Sequence, residues 1–309
     1  MVVFGQFVLG PPGAGKSTYC TGMQQLLTAL KRPRTLINLD PANDDLPYEC
    51  DIDIRELVSV EDVMTELDLG PNGALLYAME YIEVNVDWLI TRIRQMTADT
   101  ALPYVFFDCP GQVELYTHND VMTKITQQLT KALDLRLVAV HLIDSTLCVD
   151  AYRYLSAVML SLSAMMQLEL PHINVLSKID MVMDHTDDLT FRLDYYAGVS
   201  DLSQLLWTLQ TNRHPLSVKF KDFNRLLAEL IEDYGLVSFE PLDIEDKECA
   251  LRVLGRCDTA NGHVMNAEKV EDPGDPVAGI RLFQAGLSDA GEFLDEYLER
   301  YEQRLQEKK

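Results

Sequence analysis

Hydrophobic positions along this chain change period repeatedly. Val2–Leu9 is a short apolar run rich in β-formers, and Ser17–Leu30 carries its apolar residues at helical spacing. Thr35–Leu39 is a second short run that ends at Asp40. Ile54–Leu67 and Gly73–Met96 read as helices, with Gly70-Pro71-Asn72 between them as a turn. Tyr104–Phe107 and Arg136–Ile143 read as strands, Asp150–Leu168 as a helix, and His172–Leu176 and Leu236–Leu242 as further strands. Short apolar runs alternating with helical segments predict an α/β fold: a mostly parallel sheet with helices on both faces, plus helical insertions. Ligands of such a sheet lie beyond the carboxyl ends of its strands. The polar clusters fall there, since Gly10 onward, Asp40, Asp108 and Ser177–Asp180 each follow an apolar run.

The last part of the chain differs. Residues 1–265 read as one nucleotide-binding domain, and 266–309 as a linker and an amphipathic helix. Asn266–Gly279 contains Asp272-Pro273-Gly274-Asp275-Pro276 and reads as the linker. Beyond it Phe293, Leu294, Tyr297, Leu298, Tyr301 and Leu305 form one stripe at helical spacing. That stripe either packs on its own domain or takes a partner.

Composition narrows the classes. The net charge of -23 opposes binding to DNA or RNA through phosphate contacts, so no direct nucleic-acid partner is expected. It would equally repel a nucleotide, so a phosphate site has to supply its own positive potential. Six cysteines form no C-x-x-C pair and read as reduced thiols. Val2–Leu9 lacks the basic flank of a signal peptide, and the longest apolar stretch, Tyr154–Met166, is too short to span a bilayer. A cytoplasmic protein that shuttles to the nucleus, with no membrane partner, is the expectation.

The chemistry begins at Gly10-Pro11-Pro12-Gly13-Ala14-Gly15-Lys16-Ser17. A phosphate cradle needs converging backbone N–H groups, which bulky side chains would block. Here Gly13, Ala14, Gly15, Lys16, Ser17 and Thr18 line the cradle. Lys16 reaches the β- and γ-phosphates, and Ser17 offers its hydroxyl to Mg²⁺. A strand before the loop and a helix after it mark the P-loop NTPase fold. Asp108, at the end of the Tyr104–Phe107 run, can hold Mg²⁺ directly or through water, and Gln112 or Glu114 could orient an attacking water. The same Asp-Cys-Pro-Gly stretch also suits an ordinary turn. Asp40 is placed to reach Mg²⁺ or that water, or simply to cap a turn. In Ser177-Lys178-Ile179-Asp180 a carboxylate can accept hydrogen bonds from N1–H and N2–H₂ of guanine, a donor pair adenine lacks. The Lys178 stem can pack along the base. GTPases usually carry Asn or Thr where this chain has Ser177.

Together these residues resemble the GPN-loop GTPases. The likeness runs through Gly10–Ser17, Asn38-Leu39-Asp40-Pro41-Ala42-Asn43, Pro47-Tyr48-Glu49, Gly70-Pro71-Asn72-Gly73, Met79-Glu80-Tyr81, Asp108–Gln112, Ser177–Asp180 and Asp246-Lys247-Glu248. It covers about the first 260 residues, making residues 1–265 a GPN-loop domain. The wording Pro47–Cys50 and Pro171–Asn174 is most similar to the second of three eukaryotic branches. The resemblance implies GTP/GDP and Mg²⁺ as ligands, and a homodimer or a heterodimer with a paralogue. In that dimer Asn72 enters the partner's site from the Gly-Pro-Asn loop. Asp40, Gln112, Glu114 and Asn72 are then the catalytic set. It further implies RNA polymerase subunits or assembly factors as partners. Three functional readings stand: a hydrolysing switch, a nucleotide-gated assembly chaperone that does not need hydrolysis, and a P-loop kinase. No arginine stands out as a finger, so slow intrinsic turnover is expected.

Overall fold

A computed structural model describes residues 2–100, 103–183, 189–199, 202–211, 220–235, 237–263 and 290–307. In chain order its first half holds β1 (Val3–Leu9), α1 (Lys16–Ala29), β2 (Arg34–Asn38), β3 (Ile52–Asp53), α2 (Val60–Leu67), α3 (Pro71–Val84) and α4 (Val86–Thr97). The chain continues through β4 (Tyr104–Asp108), α5 (Glu114–Thr117), α6 (Val121–Leu133), β5 (Leu135–Asp144), α7 (Ala151–Leu168), β6 (His172–Ser177) and α8 (Ile179–Met183). Two helices, α9 (Leu193–Gly198) and α10 (Leu202–Thr211), precede the helix Lys221–Tyr234. Then come β7 (Phe239–Leu242), the helix Lys247–Asn261 and the last helix, Ala290–Glu307.

Among the described residues the sheet has seven strands in the order β3-β2-β4-β1-β5-β6-β7. Every pairing is parallel. Strands buried on both faces need apolar side chains on both, which is why their sequences show continuous apolar runs. Alternate residues serve different layers. Phe4 and Val8 of β1 join Phe106, Val138 and Val140 in a core with α1, α7 and the later helices. Val3, Phe7 and Leu9 join Val105, Phe107 and Leu137 in a core with α3, α4 and α6. Gln6 is buried in the central strand, where its amide donates to the Tyr104 hydroxyl at 3.0 Å and accepts from the Tyr19 hydroxyl at 2.7 Å.

Two sequence expectations change. Ile54–Leu67 is not one helix: Ile54–Glu56 is a 3₁₀ turn after the two-residue strand β3, and α2 starts only at Val60, capped by Ser59. Ser59 and Asp53 each accept backbone N–H groups of the following turn, so the chain starts two short elements. Gly73–Met96 is likewise two helices. The first opens at Pro71 behind Gly70, and Asn85 leaves helical geometry with φ -107° and ψ 24°. The proposed linker at 266–279 lies outside the described residues, as does Leu236. The last helix packs on its own chain. Phe293, Leu294 and Tyr297 are buried in the same core as β7 and α9, and burying three such side chains stabilises by about 5 kcal/mol. Among the described residues no helix is long and apolar enough to cross a membrane.

Candidate nucleotide site

The loop between β1 and α1 sits at the carboxyl end of the central strand. Gly10 holds φ 146°, and a Cβ there would stand 2.5 Å from the Leu142 carbonyl oxygen of β5, so close approach and conformation both demand glycine. Gly15 caps α1 with φ 92°, leaving the first N–H groups of the helix turned toward the loop. Lys16 folds back, its Nζ donating to the carbonyls of Gly10 at 3.1 Å and Pro11 at 3.4 Å. Thr18 is exposed in the first turn.

Ser17 reaches across to β4, its Oγ donating to Asp108 Oδ2 at 2.9 Å. The Tyr48 hydroxyl donates to the same oxygen at 3.0 Å. Asp108 is only 2% exposed, and its Oδ1 is buried without a hydrogen-bond partner. Burial pushes its carboxyl above the usual carboxylate range, against Ser17, Tyr48 and Lys16, which pull it down. Asp40 follows β2. Its Oδ1 accepts from Ala42 N–H at 3.0 Å, so it does cap a turn. It also faces the same space as Lys16, and burial raises its pKa. Asn38 fixes that turn by donating to the Asp40 carbonyl at 3.1 Å and to Asp53 Oδ1 at 3.0 Å.

These groups line an open cleft of about 630 Å³ together with Asn72, Gln112 and Glu114. The structure thus brings Lys16, Ser17, Asp40, Asp108, Gln112 and Glu114 into one cleft, while Gly13, Ala14, Gly15 and Thr18 lie outside its lining. Asn72, expected in the site of another subunit, lies on the cleft of its own chain, exposed at the first turn of α3.

The opposite flank is built from β5 and β6. Ser177 turns its hydroxyl to main-chain carbonyls. Its Oγ lies 2.8 Å from the Ala14 carbonyl and 3.0 Å from that of Ile143, and the residue is 5% exposed. It ties the phosphate loop to the strand ends. Lys178, at φ 59°, donates to the Gly13 carbonyl at 2.6 Å and to Asp144 Oδ2 at 2.7 Å. Burial alone would raise Asp144, but hydrogen bonds from Lys178 and Thr146 hold it below the usual carboxylate range. Asp180 opens α8, half-buried. Burial raises its pKa, and the charges of Asp243 and Glu245 raise it further.

Sequence reasoning passed over the roles of Tyr48 and Asp144. Tyr48 carried one signal, an aromatic hydroxyl in the polar excursion between β2 and β3. Asp144 carried another, an acid ending a strand-like run in the same way as Asp108.

Comparisons with known proteins show what the chain is similar to. A family model described as "Conserved hypothetical ATP binding protein" matches residues 8–263. The "GPN-loop GTPase 2" of Danio rerio is 50% identical over 260 residues, 84% of this chain and 81% of that protein. The "GPN-loop GTPase QQT1" of Arabidopsis thaliana is 49% identical over 263 residues, 85% of this chain and 86% of that protein. The "GPN-loop GTPase 2" of Schizosaccharomyces pombe is 41% identical over 315 residues, 99% of this chain and 96% of that protein, so its likeness extends through the last helix. A crystal structure titled as a GTPase in apo form from Pyrococcus abyssi has the same fold. It matches with a TM-score of 0.65 at 21% identity, over 84% of this chain and 97% of that one.

Proposed function

This chain belongs to the GPN-loop GTPase family, and from that premise we propose that it binds GTP along the loop Gly10–Ser17 and hydrolyses it to GDP and phosphate. The observation that carries this reading is the joined set Lys16, Ser17 and Asp108 on one flank of the loop, with Asp180 on the other.

Magnesium fits the phosphate side. Ser17 and Asp108 are hard oxygen donors, and Asp108 Oδ1 is buried without a partner. Among the described residues no three His, Cys, Asp or Glu side chains converge on a metal. The ion therefore needs phosphate oxygens to complete its shell. When bound, Mg²⁺ neutralises charge on the β- and γ-phosphate oxygens. Lys16 exchanges the Gly10 and Pro11 carbonyls for phosphate oxygens. Gln112, Glu114 and Asp40 hold the water that attacks the γ-phosphorus. Its oxygen bonds to phosphorus as the β–γ bridging bond breaks, and its proton passes to a neighbouring oxygen. Asp180 accepts from guanine N1–H and N2–H₂, and the Lys178–Asp144 pair fixes the loop beneath.

A second GPN-loop subunit, a copy or a paralogue, closes the open cleft, with Gly70–Asn72 at the start of α3 at the junction. Supporting this, α2 and α3, which flank that segment, expose Leu67, Leu76, Tyr77, Tyr81 and Val84. Turnover per subunit then rises with protein concentration, and Asn72→Ala removes the rise. A rate independent of concentration overturns the shared site. Nucleotide state acts through this pairing surface on RNA polymerase assembly and nuclear import, a role that rests on the family resemblance alone. Gln112→Ala tests the role. If it binds GTP, cannot hydrolyse it and still supports assembly, the protein works as a nucleotide-gated chaperone rather than a hydrolysing switch.

The deciding measurement for the nucleotide is a competition titration on wild type and Asp180→Asn. GTP displaces a labelled nucleotide well ahead of ATP, and the substitution shifts preference toward xanthine, whose 2-oxo group suits an amide donor. Equal competition by ATP on wild type refutes the guanine reading.

A further inference from the structure

The last helix does more than cover apolar surface, because its polar side chains converge on the two loops that flank the base. The Tyr301 hydroxyl donates to the main-chain carbonyl of Asp180 at 3.3 Å. The Tyr297 hydroxyl donates to Asp243 Oδ2 at 3.0 Å, while Asp243 Oδ1 accepts from Glu245 N–H at 2.9 Å. Arg300 reaches Asp246 at 3.3 Å and Glu248 at 3.2 Å. Asp246 in turn caps the helix Lys247–Asn261, accepting from Glu248 N–H at 3.1 Å and Cys249 N–H at 3.0 Å.

Sheet register brings these loops together. Ser177 of β6 pairs with Leu242 of β7, so Lys178–Asp180 and Asp243–Asp246 leave the sheet side by side. The second loop also presses on α1, where a Cβ at Gly22 would stand 2.4 Å from Ile244 Cγ1. One helix therefore holds the segment bearing the base-reading carboxylate and also the loop whose Ile244 packs on α1, the helix that follows the phosphate loop. Apolar anchoring keeps it seated: Tyr297 is fully buried, and the Phe293 ring lies 4.8 Å from the Arg252 guanidinium carbon.

We propose that Tyr297, Arg300 and Tyr301 of the last helix are positioning residues of the guanine pocket, setting how tightly and how selectively Asp180 holds the base. This rests on the guanine reading above. A carboxylate that must meet two ring donors at hydrogen-bond distance loses selectivity when its segment loosens, because discrimination comes from geometry. The Ser17–Asp108 contact lies on the other flank of the loop, so the larger effect falls on the base.

The test uses the full chain with Tyr301→Phe, and with Tyr297→Phe added, each change deleting one hydroxyl. GTP and ITP affinities are measured by displacement of a fluorescent guanine nucleotide. Inosine lacks the 2-amino group, so the GTP-to-ITP ratio reads the Asp180 contact. The double variant is expected to bind GTP about three- to tenfold more weakly, through faster release, with a reduced GTP-to-ITP ratio. Its kcat at saturating GTP stays near that of wild type. Unchanged GTP affinity and ratio in folded Tyr301→Phe and double variants overturn the proposal. If the buried Tyr297→Phe change prevents folding, half-buried Tyr301→Phe decides alone. Asp180→Asn separates the two failures. If it shifts preference to xanthine while the tyrosine variants stay neutral, only the positioning role falls. If it leaves GTP binding intact, the base reading falls and the positioning role with it.

Discussion

Gly22→Ala tests by its sign whether the loop after β7 is pressed against α1. Gly22 lies inside α1, where replacing glycine by alanine normally gains about 1 kcal/mol of helix stability. Here the new methyl would stand 2.4 Å from Ile244 Cγ1 and 2.7 Å from its Cδ1, but 3.8 Å from its Cβ. Overpacking of this kind costs roughly 1–3 kcal/mol. The nearest obstructing atom is an inner carbon of a β-branched side chain, and only Cδ1 is a free end, so a cost near 2 kcal/mol is apt, and the net expectation is a loss of about 1 kcal/mol. In an Ile244→Ala background the two close atoms are gone and only the 3.8 Å contact remains. The same change should then stabilise by about 1 kcal/mol. The coupling between the sites is therefore on the order of 2 kcal/mol. Urea denaturation of the four proteins, read as midpoint shifts at a common m-value, gives all four corners of the cycle. Stabilisation by Gly22→Ala in both backgrounds would refute the close approach and remove the link between α1 and the loop at Asp243–Asp246.

Ser177→Ala should cost roughly 1–2 kcal/mol of stability and weaken GTP binding several-fold, because the Ala14 and Ile143 carbonyls lose their donor. A variant that melts and binds like wild type would show the tie to be dispensable. Acid sensitivity has a separate source in buried neutral histidines. Burial lowers His141 and His263 to about 4 and His172 to about 3. The unfolded chain therefore binds more protons than the folded one between the ordinary histidine pKa near 6.5 and those values. Stability is full above about pH 6.5 and is lost as pH falls toward 4. Replacing His141 by Gln should flatten that limb by one proton, about 1.4 kcal/mol per pH unit, in urea titrations run from pH 7 to pH 4. An unaltered slope would place the acid sensitivity elsewhere.

The phosphate loop was legible because its chemistry and its chain geometry are local: Gly10 to Ser17 carry both. Asp40, Asp108, Gln112 and Glu114 were legible from their positions after strands. Strand order was not, because Val3 meets Leu135 and Phe4 meets Tyr104 across distances that no local pattern encodes. β3 escaped because two residues cannot show a period. The break at Asn85 escaped because apolar spacing continues across it. Ser177 was read for its residue type in a nucleotide motif, whereas its hydroxyl turned to two carbonyls. The stripe on the last helix was legible as amphipathic. Its target was not, since Tyr297 and Tyr301 meet Asp243 and Asp180 only through the fold.

The parallel sheet also sets a timetable for synthesis. β1 is made before its partners β4 and β5, which come about a hundred or more residues later, at Tyr104–Asp108 and Leu135–Asp144. Ala14 waits for Ser177, 163 residues further on. A growing chain thus carries an unpaired apolar strand and an unformed phosphate loop through much of its translation, a state that needs protection from aggregation. Nascent chains released before β6 would present this strand without the loop's anchor, and only longer ones can report their completion by holding nucleotide.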